Sequence, residues 1–277
     1  MTLRLTIIAL LLTTLTAGAW TQQMLMREAY ARRGAAVSAW TPASAAGLVW
    51  WLDATDASTL TLTSSNTVSQ WRDKSGAGLN FNQTNGAVQP VYGSNAVNGL
   101  KGIEAVVGHG MLATNMDVLD IIGNYKLAII FNAKTLIASG SQLSMRQNLS
   151  WDIIRSRSTL DLQCANMGGG TARLTVNHFT NAICLVRSGS DVAPQISLRV
   201  NGGTYTINVT NATYNAGATK NGFLFGNGTA FSADGLVQEI VAYTNLDSST
   251  ELKLEGYLCH KYGIAMPTNH PYYGAAP

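Results

Sequence analysis

The chain of 277 residues carries 18 basic and 15 acidic side chains, so its net charge of +3 is small and only 12% of its residues are charged. This balance excludes the basic stripe with interleaved aromatic residues that a nucleic-acid-binding protein presents. An apolar content of 46% excludes a disordered chain. About 230 residues follow the N-terminal segment, and that length fits one large domain better than two.

The first 33 residues form a segment of their own. An apolar stretch over residues 5–16 precedes the small residues Ala17, Gly18 and Ala19, which is the layout of a secretory signal peptide cut after Ala19. The other interpretation is an apolar anchor helix over residues 1–33, because Gly and Pro are missing from residue 20 onward in this segment. Such a helix would contact a membrane, a partner or copies of itself. Both interpretations stay open.

The rest of the chain reads as a linker, a β domain and a tail. Residues 34–46 contain Pro42 among many Ala and Ser residues, which predicts a linker. Over residues 47–265, short apolar runs are separated by Gly, Asn and Ser. This spacing predicts a mostly β fold, a jelly-roll β-sandwich, and residues 266–277 are interpreted as a C-terminal tail. The clearest runs cover residues 102–107, 125–131, 151–155, 160–164, 172–176, 182–186, 196–200 and 205–209.

Two local features refine this prediction. Asn201, Gly202 and Gly203 stand between two alternating runs, and Asn-Gly accepts the positive backbone angles of a tight hairpin turn. The three cysteines are Cys164, Cys184 and Cys259, and they cannot all pair within one chain. A bridge between Cys164 and Cys184 is one option, but small buried thiols are favoured.

The C-terminal part predicts a strand followed by a capped helix. Residues 237–243 suit a half-buried strand. Asp247, Ser248 or Ser249 can cap the helix that follows, and Gly263 ends it. The apolar positions of this helix are Leu252, Leu254, Tyr257 and Leu258.

Several segments of the body occur in an order that carries a resemblance. They are residues 48–58, 68–78, 185–190 with 196–203, and 223–264. In this order they are similar to the opening strand, the following strand and turn, the central hairpin, and the closing strand and helix of concanavalin A-like lectin/glucanase (laminin G type) domains. Such domains are found in phage tail and virion proteins and in bacterial surface proteins. The resemblance covers residues 48–264 and implies a concanavalin A-like jelly-roll β-sandwich.

Catalytic residues of the glucanase type are missing from the sequence. Glucanases of this fold class use paired acidic residues that alternate along one strand and face one cleft. Here Glu104 and Glu239 each stand alone in an apolar strand, and Glu251 and Glu255 flank Lys253 as on a solvated helix face. We therefore predict that the protein is not an enzyme, and polysaccharide hydrolysis through Glu104 or Glu239 is the least favoured alternative.

Asp53, Asp56 and Asp73 are candidate ligands for Ca²⁺, because calcium takes several oxygen ligands in a flexible geometry. Laminin G type domains often bind calcium, so the resemblance implies the same possibility here. The favoured alternative is that these side chains cap turns by bonding to their own backbone. The histidines lack the spacing of a zinc site, and no other cofactor is expected.

Trp50 and Trp51 are candidate ligand-binding residues, because glycan sites stack sugar rings on aromatic side chains. Adjacent residues of a strand face opposite sides of the sheet. One of the two indoles would therefore form an exposed platform, or else lie beneath the linker or a neighbouring subunit, which is favoured.

These observations predict a non-enzymatic phage virion structural protein, such as a tail, fibre or head-decoration component. Its lectin-like sandwich would serve assembly or attachment to host-surface glycans. Its partners would be other virion proteins and copies of itself, with the N-terminal helix in contact with a membrane where one is present. The alternative is a secreted or cell-surface bacterial glycan-binding, adhesive module that has lost residues 1–19.

Overall fold

A computed structural model describes the folded part of the chain. The residues it describes are 40–106, 108–114, 125–133, 144–147, 151–158, 161–165, 171–175, 183–189, 196–209, 222–225 and 235–277. Residues 40–277 belong to one compact unit. The predicted N-terminal helix and residues 34–39 of the predicted linker lie outside the described residues. Within the described ranges, no helix combines the length and the apolar character needed to cross a bilayer.

The described residues form strands and one α-helix, which confirms the prediction of a mostly β fold. The helix, α1, spans Ser248–Tyr262. The strands are β1 (Leu48–Asp53), β2 (Leu60–Leu62), β3 (Val68–Trp71), β4 (Phe81–Asn82), β5 (Val91–Val97), β6 (Leu100–Ala105), β7 (Met111–Ala113), β8 (Tyr125–Ala133), β9 (Ser144–Gln147), β10 (Trp151–Ser158), β11 (Asp161–Ala165), β12 (Thr171–Thr175), β13 (Ile183–Gly189), β14 (Ile196–Val200), β15 (Thr206–Val209), β16 (Gly222–Leu224) and β17 (Gly235–Thr244).

The strands form two antiparallel sheets. The eight-stranded sheet has the order β15-β14-β13-β8-β17-β6-β5, and β1 joins it by pairing with β17. The nine-stranded sheet has the order β12-β11-β10-β9-β16-β7-β4-β3-β2. The central strand β17 pairs along one side with β8 and along the other with β6 and then β1. Every residue of β17 except the last is buried.

The two sheets pack face to face around one apolar core. Trp50 and Ile129 reach this core from the eight-stranded sheet, and Trp71 and Phe81 reach it from the nine-stranded sheet. The ring centroids of Trp50 and Phe81 are 5.3 Å apart, and the Trp50 indole donates a hydrogen bond to the Leu79 carbonyl at 2.9 Å. The buried indole nitrogen is thereby satisfied, as a core position requires.

The other face of the eight-stranded sheet is covered by α1. Ala128, Ile130 and Tyr243 of this sheet share a second apolar cluster with Leu254 and Leu258 of the helix. The sheet is therefore covered on both faces. The prediction of a half-buried strand over residues 237–243 is wrong for this reason, since residues 237–243 are buried throughout.

The predicted helix caps are confirmed. The Asp247 carboxylate accepts hydrogen bonds from the backbone N–H groups of Ser249, at 2.9 Å, and Thr250, at 3.0 Å. Gly263 takes the left-handed conformation, with φ +62°, and its N–H bonds back to the carbonyls of Cys259 and His260. Both ends of the helix thus obtain partners for backbone groups that lack them within the helix.

The hairpin turn has the predicted backbone geometry. Asn201 and Gly202 both have positive φ angles, +53° and +72°, and they lie between the paired strands β14 and β15. Asn accepts this conformation more readily than most residues that have a β carbon.

Residues that precede the predicted sandwich and residues that follow it both contact α1. Trp40 contacts Tyr257 of the helix edge to face, with ring centroids 5.9 Å apart, and the Tyr243 hydroxyl donates a hydrogen bond to the Pro42 carbonyl at 2.7 Å. In the tail, the Tyr272 carbonyl lies 2.6 Å from His260 Nε2. Residues 40–46 of the predicted linker and residues from the predicted tail therefore take part in the folded unit.

The positions of the cysteines do not suit the bridge between Cys164 and Cys184 that was considered above. Cys184 and Cys259 are free and buried, as favoured. The Cys184 side chain belongs to the cluster beneath α1. Cys164 lies on β11 of the nine-stranded sheet, across the inter-sheet core. This arrangement opposes a bridge between Cys164 and Cys184.

A glycine substitution tests the entry into β1. Gly47 has φ +81°, and a β carbon there would lie 2.3 Å from the Thr244 carbonyl oxygen. We expect Gly47→Ala to lower the free energy of unfolding by more than about 2 kcal/mol, through a left-handed alanine and the clash together. Urea denaturation measures this loss.

Gly99→Ala is the matched control, because Gly99 has φ +75° but open space around the added carbon. This variant should lose only about 1 kcal/mol, the conformational contribution alone. Equal losses for the two variants would contradict the proposed clash.

Candidate functional site

Strand pairing brings together carboxylates that are distant in the sequence. Asp53 of β1 lies directly opposite Glu239 of β17. On β17 the pairing with β8 shifts between Val237 and Glu239, so Gln238 forms a bulge. Val237 and Ile240 consequently both face the inter-sheet core, and Glu239 faces α1. Regular alternation would place Val237 and Ile240 on opposite faces, so the bulge sets the direction of Glu239.

Two lysines hold these carboxylates in what we call the Glu239 cluster. Lys261 Nζ of α1 lies 2.7 Å from Glu239 Oε2 and 3.0 Å from Asp53 Oδ1. Lys74 Nζ lies 3.2 Å from Asp53 Oδ2 and 3.0 Å from Asp56 Oδ2. The members of the Glu239 cluster are Trp51, Asp53, Asp56, Lys74, Glu239, Tyr257, Lys261 and Tyr262.

Glu239 is fully buried and surrounded by hydrogen-bond donors. Its Oε1 accepts from the Trp51 indole at 2.8 Å and the Tyr257 hydroxyl at 3.3 Å. Its Oε2 accepts from the Tyr262 hydroxyl at 2.9 Å as well as from Lys261. This set of partners satisfies a buried carboxylate that would otherwise be strongly destabilising.

The two central carboxyl groups have pKa values shifted in opposite directions. Burial raises the pKa of Glu239 above its ordinary value of 4.5, against the opposing charge of Lys261. Burial acts on Asp53 too, but Lys261, the Thr55 hydroxyl and Lys74 hold the pKa of Asp53 below its ordinary value of 3.8. Opposite shifts in neighbouring carboxyl groups are a feature of acid/base pairs in glycosidases.

Accessibility distinguishes this pair from such an active site. The Lys261 ammonium group bridges the two carboxylates, and Glu239 has no exposed surface beneath α1. A substrate would have to displace the helix to reach it. Glu239 is the one acidic residue of its strand, as the sequence shows, and its partners come from residues near both ends of the folded unit.

A second charged group, the Arg199 cluster, lies under the N-terminal half of α1. Arg199 Nε donates to Glu255 Oε1 at 2.7 Å, and its Nη2 pairs with both Glu255 and Glu251. Lys126 Nζ lies 2.7 Å from Glu251 Oε2, and the Tyr205 hydroxyl also donates to Glu251. The cluster consists of Lys126, Arg199, Tyr205, Glu251 and Glu255.

The Arg199 cluster corrects the predicted solvated helix face. The side chains of Glu251 and Glu255 are 3% and 0% exposed. Their four-residue spacing directs both toward the sheet, where the planar guanidinium group of Arg199 forms two parallel bonds to Glu255.

Neither candidate tryptophan forms an exposed platform. Trp50 is fully buried in the inter-sheet core, and Trp51 is 8% exposed beneath α1. The two indoles do face opposite sides of the sheet, as predicted, but both sides are covered. Lys74 also lies over the Trp51 ring, 4.2 Å from its centroid. A ligand-binding role for Trp50 and Trp51 stays a prediction.

The candidate calcium ligands have other partners. A lysine ammonium group already joins Asp53 and Asp56. Asp73 accepts hydrogen bonds from the backbone N–H groups of Trp51, Ser75 and Leu79, which is the turn-capping role considered as the alternative. Within the described residues, no three His, Cys, Asp or Glu side chains converge to hold a metal ion. A calcium role for these residues stays a prediction.

The outer face of the nine-stranded sheet carries a row of uncharged polar side chains, which we call the amide row: Thr61, Gln70 and Asn82. Thr61 pairs with Gln70 and Gln70 with Asn82 on the neighbouring strands β2, β3 and β4. Trp71 and Phe81, the next pair in register, are buried in the core. Because side chains alternate along a strand, the amide row faces outward.

The amide row is partly ordered by its own hydrogen bonds. Gln70 Nε2 donates to Asn82 Oδ1 at 2.9 Å, and Asn82 Nδ2 donates to the Asn80 carbonyl at 3.2 Å. Each primary amide offers more donors and acceptors than these bonds use. The register continues from Asn82 to Leu112 and then to Phe223. Sequence reasoning did not single out this row, since its residues are distinguished only by strand pairing.

Comparisons with known proteins bear on the fold alone. No protein-family model and no curated protein matches this chain. Among solved structures, Trypanosoma rangeli sialidase is similar over 79% of this chain and 34% of its own, at 15% identity and a TM-score of 0.54. Its complex with the inhibitor DANA is similar over 86% and 38%, also at 15% identity and 0.54. This chain therefore spans about a third of the sialidase's length.

A weaker similarity is to the binding domain of botulinum neurotoxin serotype D. It covers 78% of this chain and 51% of that domain, at 10% identity and a TM-score of 0.49. The sialidase similarity supports a fold of two packed β-sheets.

The opposite pKa shifts in the Glu239 cluster predict opposite effects of pH. Because the pKa of Glu239 is raised in the folded protein, the stability from its protonated form is complete below pH 4.5 and is lost as pH rises through the folded pKa. The free energy of unfolding of the unmodified protein, relative to that of Glu239→Gln, should fall as the pH rises from 4.5 through the folded pKa. Denaturant titrations at a series of pH values measure the difference.

Asp53→Asn is the matched control. Since the pKa of Asp53 is lowered on folding, its contribution is present above its ordinary value of 3.8 and is lost as pH falls through the folded pKa. The corresponding difference should rise with pH. A difference that is independent of pH for Glu239→Gln would contradict the assigned shift.

Proposed function

We propose that this chain is a non-enzymatic virion structural protein whose concanavalin A-like sandwich binds cell-surface glycan through the outer face of its nine-stranded sheet. The observation that carries the glycan proposal is the amide row. Its side chains are outward-facing, uncharged and aligned across three strands. Thr61 and Asn82 are exposed and Gln70 is half-buried.

The chemistry of the row suits the hydroxyl groups of a sugar. Primary amides both donate and accept hydrogen bonds, so one amide can contact neighbouring hydroxyl groups of a sugar ring. Arg72 extends the row, since its Nη1 lies 3.3 Å from Thr61 Oγ1.

Among the described side chains, the outer face of the eight-stranded sheet is occupied over its centre by α1 and by the two charged clusters. The central carboxylates are engaged by lysine or arginine, which supports a role without catalysis. Trypanosoma rangeli sialidase has been solved with difluorosialic acid, and the similar fold makes a sugar the first ligand class to test.

The virion role rests on the resemblance to phage tail and virion domains and on the apolar segment at residues 1–33, which would anchor the sandwich. The signal-peptide layout of residues 5–19 favours the second candidate. In that case, the same sandwich is a secreted or cell-surface bacterial adhesive module.

Glycan binding is tested with an array and then by calorimetry on each captured sugar. We expect the double variant Gln70→Ala/Asn82→Ala to bind at least about tenfold more weakly, because each lost hydrogen bond is worth roughly 1 kcal/mol. Lys253→Ala, on the helix that covers the other sheet, is the control and should bind normally. Circular dichroism checks that all three proteins are folded. Undiminished binding by the double variant would overturn the assigned face.

The virion role is tested separately by mass spectrometry of intact particles. We expect peptides from residues 1–19 in the particle, because the anchor is retained if the protein is a virion component. A protein found only in culture medium or on the cell surface, beginning at Trp20, would contradict the virion proposal and support the secreted module. Either outcome leaves the glycan test unaffected.

A further inference from the structure

Two buried cysteines lie in the apolar cluster between α1 and the eight-stranded sheet. Cys184 lies on β13 and Cys259 on α1, and both side chains are fully buried in the apolar cluster beneath the helix. The helix α1 packs directly on β13, so the two thiol groups share one apolar cluster between these elements. The two cysteines are 75 positions apart in the sequence.

The backbone on each side of this thiol pair is held by hydrogen bonds. Cys184 N–H donates to Asn201 Oδ1 at 2.8 Å, and the Asn201 N–H donates to the Cys184 carbonyl at 2.8 Å. The Cys259 carbonyl accepts from the N–H of Ile264 at 2.8 Å and from that of Gly263. The backbone position of Cys184 is therefore set by a strand turn, and that of Cys259 by a helix cap.

We propose that Cys184 and Cys259 form a disulfide when the chain folds in an oxidising environment, and stay as a pair of thiols when it folds in a reducing one. The oxidant is a small-molecule or protein disulfide. One cysteine thiolate attacks one sulfur of that disulfide, forms a mixed disulfide with it, and releases the other sulfur of the oxidant as a thiolate. The second cysteine thiolate then attacks the mixed disulfide and releases the remaining sulfur of the oxidant.

In this exchange, the bond between the two cysteine sulfurs forms as the disulfide bond within the oxidant breaks. The cysteines lose two electrons, which reduce the oxidant to two thiols, and the two cysteine protons end on those released sulfurs or in solvent.

The folded structure determines when this reaction can occur. The neighbouring Cys259 thiol and then burial raise the pKa of Cys184 well above its ordinary value. A raised pKa depletes the reactive thiolate, and full burial keeps an oxidant away. The disulfide must therefore form before α1 docks on the sheet. After docking, the redox state of the pair is preserved and records the environment in which the chain folded.

The test is to unfold the full chain and refold it either with a mixture of reduced and oxidised glutathione or with dithiothreitol. Each product is then denatured in the presence of an alkylating reagent, which blocks the free thiols, and digested. We expect the glutathione product to show a peptide linked through Cys184 and Cys259, with only Cys164 alkylated. The dithiothreitol product should be alkylated at all three cysteines.

Two further measurements keep the test decisive. Protein already folded under reducing conditions should keep its thiols when oxidised glutathione is added without denaturant, and rapid oxidation there would overturn the proposed timing. The glutathione product should melt at a higher temperature than the reduced one, and Cys184→Ala should abolish this difference.

Free Cys184 and Cys259 after oxidative refolding, or a link from either one to Cys164, would overturn the pairing. Should the chain refold poorly, protein exported to a bacterial periplasm replaces the glutathione product in the same measurements.

Discussion

The position of α1 on the eight-stranded sheet depends on two buried charge clusters of opposite polarity. In the Arg199 cluster, the helix supplies the carboxylates and the sheet supplies Arg199 and Lys126. In the Glu239 cluster the helix supplies the cation, Lys261, and the sheet supplies Glu239 and Asp53. A helix shifted by one turn or reversed in direction would leave these buried charges without partners, and an unpaired buried charge is strongly destabilising. The clusters thus select one orientation of the helix.

The same arrangement agrees with the electrostatics of the helix itself. Glu251 lies in the first turn of α1 and Lys261 in the last turn. Negative charge is favoured near the N-terminus of a helix and positive charge near its C-terminus. The sequence of α1 therefore matches both its own dipole and the charge pattern of the sheet beneath it. Local and tertiary preferences agree, which favours a single docked state.

Sequence reasoning succeeded where the signal was local. The caps at Asp247 and Gly263 and the turn at Asn201 are set by residues within a few positions of one another, and each was predicted from its own neighbourhood. The same holds for the strands, whose apolar runs coincide closely with the observed elements.

Sequence reasoning failed where partners are distant. Trp51 and Glu239 are separated by 188 positions, and no pattern around Glu239 indicates that a bulge at Gln238 will direct it toward a lysine on the helix. The spacing of Glu251 and Glu255 shows that they share a helix face but not whether that face meets water or Arg199. Burial of both Trp50 and Trp51 likewise depends on a sheet covered on two sides, which adjacent positions in a strand cannot reveal.

The contact between Trp40 and Tyr257 has a directional consequence. The chain enters the folded unit beside α1, and the Tyr243 bond to Pro42 fixes that entry against the eight-stranded sheet. Trp40 and Pro42 thus lie on the helix-covered side of the eight-stranded sheet. The amide row faces outward from the other sheet, so two packed layers separate it from these residues.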